Sequence, residues 1–150
     1  MSNLFKVSEA ASLALHAMLL ISASPGQSLT TGQMASAMQA SEAHLAKVLQ
    51  RLTRVGLVRS TRGPKGGFVL GKPSDSICLL DIYEAVEGPL AATTCLLGRP
   101  ICGGHDHCML GGFLESVGEQ ARRHLAGTRL SDLTQGGPGR HEAAQENHPD

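Results

Sequence analysis

The sequence predicts a mainly α-helical fold that carries one small β-hairpin and ends in a long C-terminal helix. Apolar residues recur at helical spacing in several segments, which is the strongest local signal for helices. Two short runs of strand-forming residues flank a turn rich in glycine and containing proline, and this pattern predicts a hairpin. With 150 residues, the chain is long enough to bury a single core.

The first two helices are predicted from their capping residues and their apolar faces. Ser8 can cap a helix that runs from about Glu9 to Ser22. This helix is apolar on most sides, so we expect it to be largely buried. Thr30 or Thr31 can then cap a short helix that ends near Gln39.

The third predicted helix is informative because its two faces differ in character. Ser41 can cap it, and it ends near Val55. Its core-facing residues follow helical spacing: Leu45, Val48, Leu49 and Leu52. Its outer face is basic and rich in hydrogen-bonding groups: His44, Lys47, Gln50, Arg51 and Arg54. A short helix, a tight turn and a second helix of this kind are typical of a helix-turn-helix, although a merely solvated face is the alternative.

A hairpin follows this helix directly. Residues 57–62 and 68–70 are predicted to be its strands, and residues 63–67 form the turn. Arg62 and Lys65 lie at the tip, where the glycines permit a close approach of the backbone to a groove or a phosphate. A hairpin in this position is a wing, so the sequence predicts a winged helix-turn-helix domain.

The net charge of zero conceals an asymmetry between the two halves of the chain. Residues 1–72 contain eight basic and two acidic residues, a net charge of +6, whereas residues 73–150 contain five and eleven, a net charge of −6. A basic half joined to an acidic half predicts a module that binds a polyanion beside a regulatory or assembly module. Together with the helix-turn-helix and the wing, this asymmetry favours nucleic-acid binding.

The second half is predicted to contain fewer elements. A brief extended piece at residues 77–79 precedes a short helix from about Leu80 to Glu87, and a long helix runs from Leu110 to Ala126. The apolar stripe of the long helix consists of Leu110, Phe113, Leu114, Val117, Ala121 and Leu125. Few elements remain to cover this stripe, so we expect it to pair with a second copy of the chain. From Gln135 onward nothing can build a core, and disorder is expected.

Three of the four cysteines lie in one loop-forming stretch, CLLGRPICGGHDHC, which begins at Cys95 and ends at Cys108. A loop can wrap three thiolates around a soft metal centre, and soft sulfur ligands favour iron–sulfur clusters, zinc or copper(I). The same thiols could instead form a reversible disulfide. Cys78 stands among apolar residues, so it is interpreted as a small buried residue.

These elements divide the chain into four parts. They are a winged helix-turn-helix domain at residues 1–90, a cysteine sensor loop at 91–109, a dimerisation helix and its end at 110–134, and a disordered tail at 135–150. The chain shows no signal peptide and no apolar run of bilayer length, so a cytoplasmic location with reduced thiols is expected.

Several stretches resemble the Rrf2 (IscR/NsrR-type) family of bacterial, dimeric winged-helix transcription regulators. The most specific are GLV at residues 56–58 leading into RGPKGGF at 62–68, and DIYEAVEG at 81–88. Three spaced cysteines before a long helix complete the pattern, and the resemblance covers residues 4–134.

The resemblance implies that the helix from Ser41 to Arg54 enters the major groove of DNA, that Arg62 reaches the minor groove, and that the helix from Leu110 makes the dimer. It also implies that the cysteines hold a [2Fe–2S] or [4Fe–4S] cluster, as in the cluster-binding members. Other members lack the cysteines and respond through a partner protein or a small molecule. The residues expected at the DNA are Ser41, Glu42, His44, Lys47, Gln50, Arg51, Arg54, Arg59, Arg62, Lys65 and Gly66.

The ligands of such a cluster would be Cys95, Cys102 and Cys108, and the fourth ligand stays open. The first gap holds six residues, where well-known cluster binders usually have five or fewer. One branch uses a histidine three residues after the last cysteine, but that position is Gly111 here. Other members use an acid from the partner's first helix, where this chain has Ser12, with Glu9 one turn earlier. The local candidates are His105 and His107, ahead of Asp106.

The sequence therefore predicts a DNA-binding transcription regulator, specifically a repressor, whose operator affinity is controlled by an iron–sulfur cluster or a redox-active cysteine loop. The alternative is a regulator without a cluster that senses through thiol oxidation, zinc or a partner protein. The expected partners are a double-stranded DNA operator and a second copy of the chain, with no membrane. An enzyme is not expected, because the chain has no Ser/His/Asp order, HExxH or CxxC motif.

Overall fold

The computed structural model describes residues 7–90, 95, 101, 108 and 110–135. The helices are α1 (Glu9–Ser22), α2 (Thr31–Met38), α3 (Glu42–Arg54), α4 (Leu79–Glu87), α5 (Gly111–Gly127) and α6 (Leu130–Gln135). The strands are β1 (Val58–Thr61) and β2 (Gly67–Leu70), and a short 3₁₀ turn (Ser74–Ser76) precedes α4. The predicted fold class, mainly α with one hairpin, is confirmed.

The first three helices begin where the sequence predicts, because each is preceded by a hydroxyl that accepts a bond from the first turn. The Ser8 hydroxyl accepts from the Ala11 amide at 3.0 Å, and the Thr30 hydroxyl accepts from the Gln33 amide at 3.1 Å. The Gln33 side chain accepts in return from the Thr30 amide at 2.9 Å, which completes a capping box. The Ser41 hydroxyl accepts from the His44 amide at 3.3 Å.

The core forms around α1, which packs against α3, α4 and α6. Alanines at positions 11, 14 and 17 are fully buried, so neighbouring helices can approach α1 closely. Most of the largest fully buried side chains come from the helices, among them Met18, Met34, Leu45, Leu49, Leu52, Ile82 and Leu130, and Val58 of β1 and Ile77 join them. The core thus holds α3 by one face and leaves its opposite face to solvent.

The hairpin is antiparallel, with Val58 opposite Leu70 and Thr61 opposite Gly67. Its second strand also pairs with Leu29 of the α1–α2 connection, through backbone bonds of 2.8 and 3.1 Å between Leu29 and Phe68. A β-carbon on Gly67 would lie 2.6 Å from the Leu29 carbonyl oxygen, so this close approach requires glycine. The wing is therefore attached to the loop that leads into α2.

The region after α5 differs from the prediction. The long helix ends at Gly127, and an extended step at Thr128 and Arg129 then pairs with the segment before α4. The Leu79 amide donates to the Thr128 carbonyl oxygen at 3.0 Å, and the Leu130 amide donates to the Ile77 carbonyl oxygen at 2.8 Å. The chain then forms α6, a short helix that the sequence analysis did not predict. Because Leu130 is 0% exposed, α6 is part of the core.

The apolar stripe of α5 is partly covered within the chain. Leu114 is 8% exposed, and Leu125 packs against the core, since α5 contacts α4. Phe113 and Leu110 remain exposed, at 54% and 49%. The predicted disordered tail lies outside the described residues apart from Gln135, which ends α6. Among the described helices, none is both long and apolar enough to cross a membrane.

Candidate nucleic-acid interface and cysteine segment

The outer face of α3 presents polar side chains to solvent, and Arg51 is among the exposed ones. Lys47, Gln50 and Arg54 are exposed, while the four apolar residues on the other face are at most 2% exposed. Within the part of the chain that the structure describes, neither Lys47 nor Arg54 forms an ion pair with an acid. Their charges are therefore available to an external anion.

Two residues predicted on the same face have partners inside the protein. The His44 Nδ1 atom lies 3.5 Å from Oε1 of Glu9 on α1. The Arg51 Nη1 atom donates a hydrogen bond of 2.8 Å to the carbonyl oxygen of Val86, in the last turn of α4. These two residues lie at the edge of the outer face, where α3 meets its neighbours, and sequence spacing alone did not separate them from Lys47 and Arg54.

The start of α3 carries the remaining predicted residues of this helix. Ser41 is exposed, and its hydroxyl is occupied by the capping bond to His44. Glu42 is also exposed, and its carboxylate lies next to α2, because a β-carbon on Gly32 would be 3.4 Å from its Oε1 atom. Glu42 adds a negative charge at the N-terminus of α3, where the helix dipole favours it.

The wing contributes three exposed basic side chains, Arg59, Arg62 and Lys65. Its turn is closed by a 2.8 Å bond from the Gly66 amide to the Gly63 carbonyl. The Lys65 carbonyl accepts a hydrogen bond from the Ser28 hydroxyl on the α1–α2 connection. Sequence reasoning missed Ser28, because the residue lies 37 positions away from its partner.

Replacing Gly66 with alanine is expected to destabilise the wing by about 1–3 kcal/mol, because the new methyl group overpacks the turn. A β-carbon at this position would lie 2.7 Å from the Thr61 carbonyl oxygen and 2.8 Å from that of Gly63. Gly112→Ala is the control for an added methyl group, and it should lose no stability, since its β-carbon would meet nothing within 4 Å and alanine is a better helix former than glycine. Urea unfolding measures both variants, and an equal stability of Gly66→Ala and the parent would contradict this turn geometry.

The cysteine segment is described at three residues only. Cys95 and Cys108 are half-buried, and Ile101 between them is exposed. Cys102, His105 and His107, which were predicted as ligands or candidate ligands, lie outside the described residues. Glu9, the candidate from a partner chain, has an exposed carboxylate beside His44. Among the described residues, no three His, Cys, Asp or Glu side chains converge as a metal site would require.

Cys78 is confirmed as a buried residue. It is 8% exposed and precedes α4, and its amide donates to Oδ2 of Asp81 at 3.0 Å. This carboxylate caps the helix from its third position. Cys78 therefore has a structural position that differs from that of Cys95 and Cys108.

The last turn of α4 connects α3 to α5. Gly88, with φ at 81°, ends the helix, and the Glu84 carboxylate accepts a 3.0 Å bond from the Leu90 amide. Arg122 of α5 lies 3.4 Å from both the Glu84 Oε1 atom and the Leu90 carbonyl oxygen. Sequence reasoning missed Glu84 and Arg122, because their contact spans 38 positions.

Tyr83 and Glu87 lie in the same turn. Burial raises the pKa of the Tyr83 phenol, and the nearby Glu87 carboxylate raises it further. The Glu87 carboxylate also accepts a bond from the Ser8 hydroxyl at the start of α1. The end of α4 is thus joined by side chains to α1 and α5, and by Arg51 to α3.

The Rrf2 family model, described as an iron-dependent transcriptional regulator, matches residues 7–136. The transcriptional regulator IscR of Klebsiella pneumoniae is 34% identical over 90 residues, which are 60% of this chain and 55% of IscR. The chain thus spans about half the length of the IscR proteins that it matches.

A relative and a solved structure match over more of their length. Protein aau3 of Rhizobium meliloti is 34% identical over 123 residues, which are 81% of this chain and 80% of aau3. The structure of CymR, the global cysteine regulator of B. subtilis, superposes with a TM-score of 0.73 at 25% identity, and the match covers 87% of this chain and 97% of CymR.

Proposed function

The chain belongs to the Rrf2 family of transcriptional regulators, and on this premise we propose that it binds a double-stranded DNA operator as a homodimer and acts as a repressor. The observation that carries the proposal is the solvent-facing side of α3, where Lys47, Gln50 and Arg54 are exposed directly before a basic wing. A helix of this kind fits the major groove, and a β-ribbon can follow the adjacent backbone or minor groove.

The proposed contacts divide by chemistry. Gln50 and Arg54 can read base edges, since glutamine pairs with adenine and arginine with guanine, and Glu42 can accept from cytosine. Lys47, Arg59 and Lys65 suit phosphates, and Gly66 lets the wing backbone approach them. Ser41 and His44 lie at the start of α3, where base contacts concentrate in this motif. Arg62 suits the minor groove, whose negative potential attracts arginine.

The exposed residues of α5 support the proposed dimer. Leu110 directly precedes α5 and Phe113 lies in its first turn, and the described part of the chain leaves them half exposed. Pairing of two α5 helices would bury these side chains and present two copies of α3 to a two-fold operator. A regulator with a DNA partner would act in the cytoplasm.

We further propose that the cysteine segment controls operator affinity. Cys95, Cys102 and Cys108 would hold an iron–sulfur cluster, with His105, His107 or the partner's Glu9 as fourth ligand. The donor set suits this group, because three thiols and one nitrogen or oxygen are ligands that iron–sulfur clusters accept. A bound cluster would supply a redox-sensitive or metal-sensitive switch. Thiol oxidation, zinc at the same residues, or a partner protein is the second candidate.

An absorption spectrum, with iron, sulfide and zinc analysis of protein handled without oxygen, tests the cluster. A brown protein with stoichiometric iron and sulfide is expected, whereas a colourless protein with stoichiometric zinc would remove the cluster from the proposal. Operator binding is measured on the same sample by fluorescence anisotropy, so that DNA binding and the cluster are judged separately.

Substitution of the cysteines should separate ligands from structural thiols. Cys95→Ala, Cys102→Ala and Cys108→Ala are each expected to abolish the absorption and the bound iron, because a cluster that lacks one thiolate is no longer held. Cys78→Ala is the matched control and should keep both, since Cys78 is buried before α4. Equal loss in the control would contradict the interpretation of Cys78 as a purely structural residue.

A further inference from the structure

The residue before the cysteine segment and the helix after it both contact one short piece of structure. Leu90 is the last described residue before residues 91–94, and its amide donates to the Glu84 carboxylate at 3.0 Å. The helix that follows Cys108 is α5, and its Arg122 lies 3.4 Å from the same carboxylate and from the Leu90 carbonyl oxygen. A shift of α5 along α4 would therefore act on the Glu84 carboxylate.

The end of α4 also contacts α3, the helix that we propose reads DNA. Arg51 of α3 donates at 2.8 Å to the carbonyl oxygen of Val86, two residues beyond Glu84. The last carbonyl groups of a helix have no partner within the helix, and they carry the negative end of its dipole, so a guanidinium there is well placed. Arg51 thus fixes α3 to the end of α4.

We propose that residues 84–90, here called the α4 joint, transmit the state of the cysteine segment to α3, with Arg122 and Arg51 as the positioning residues on its two sides. This inference rests on the proposed function and names the route by which the cysteines would act. Arg51 then serves by orienting α3 rather than by contacting DNA.

The first test compares the operator affinity of two states of the full chain. One sample is purified without oxygen, and the other is the same protein after treatment with ferricyanide and EDTA. Between the two states, the parent is expected to change operator affinity by about 5-fold or more, which is the usual range for coupled sites. In Arg122→Gln, the ratio of the operator affinities of the two states should be close to one.

Arg123→Gln is the matched control for Arg122→Gln. Arg123 follows Arg122 directly and forms an exposed ion pair of 3.3 Å with Glu119 on its own helix, so its loss should keep the parent ratio. If the ratio of the two operator affinities were the same in Arg122→Gln and in the control, the α4 joint would be wrong.

Hydrogen exchange tests the α4 joint even if the operator affinity of the parent is the same in the two states. In that case, control by the cysteines would be wrong, while the joint still predicts faster amide exchange in the last turn of α3 for Arg122→Gln than for Arg123→Gln. If the amides of α3 exchanged at the same rate in both variants, this result alone would contradict the α4 joint.

Arg51→Met separates positioning from DNA contact. Methionine keeps an unbranched side chain but removes the donor to Val86, so the ratio between the two states should fall as in Arg122→Gln. The salt dependence of operator binding should stay unchanged, whereas loss of a phosphate contact would reduce the slope by about one. A reduced slope with an intact ratio would assign Arg51 to DNA and refute its positioning role.

Discussion

Replacing Leu130 with alanine is expected to lower the free energy of unfolding by about 2–4 kcal/mol, because it opens a cavity in the core. Leu130 is 0% exposed, and its own amide donates to the Ile77 carbonyl oxygen at 2.8 Å. The lost packing would loosen α6 from α1 and from the segment before α4. Urea or thermal unfolding of the full chain measures the effect.

Leu133→Ala is the control, because it makes the same change in the same helix at a side chain that is 42% exposed. It should cost less than about 1.5 kcal/mol, since a half-exposed leucine has less apolar surface to lose. If the two variants lost the same free energy of unfolding, Leu130 would not be a core residue and α6 would not be part of the core.

Local signals explain why most of the DNA-binding half could be predicted from the sequence. Ser8, Thr30 and Ser41 each cap a helix whose first turn follows immediately, and both partners of such a bond lie within three residues. The apolar spacing of α3 then fixes which face is buried. The family was also predicted correctly, because the wing and the end of α4 carry specific sequence stretches.

Contacts between distant residues explain what the sequence did not reveal. Leu130 follows the extended step at Thr128, and the 6 residues of α6 are too few for a helical period to be visible. Arg51 has the same helical spacing as Lys47 and Arg54, and only the position of Val86, 35 residues later, distinguishes it. The contact between Glu84 and Arg122 likewise depends on how α5 packs against α4.

Arg62→Ala is expected to weaken operator binding by about 1–3 kcal/mol, or about 5- to 150-fold in Kd. Arg62 is exposed at the wing, and within the described part of the chain its guanidinium has no carboxylate partner. The variant should therefore unfold within about 0.5 kcal/mol of the parent, which separates the effect from stability. Fluorescence anisotropy with operator and scrambled duplexes measures the loss.

Lys47→Ala distinguishes the two kinds of contact that α3 and the wing are proposed to make. If Arg62 reads a narrow minor groove, its loss should also relax the preference for A·T pairs at the positions that it contacts. If Lys47 contacts a phosphate, its loss should weaken all duplexes alike and reduce the salt slope by about one. Both side chains are exposed cations, so the difference between their effects would come from position and not from charge. Unchanged operator affinity in both variants would show that DNA binds a different surface.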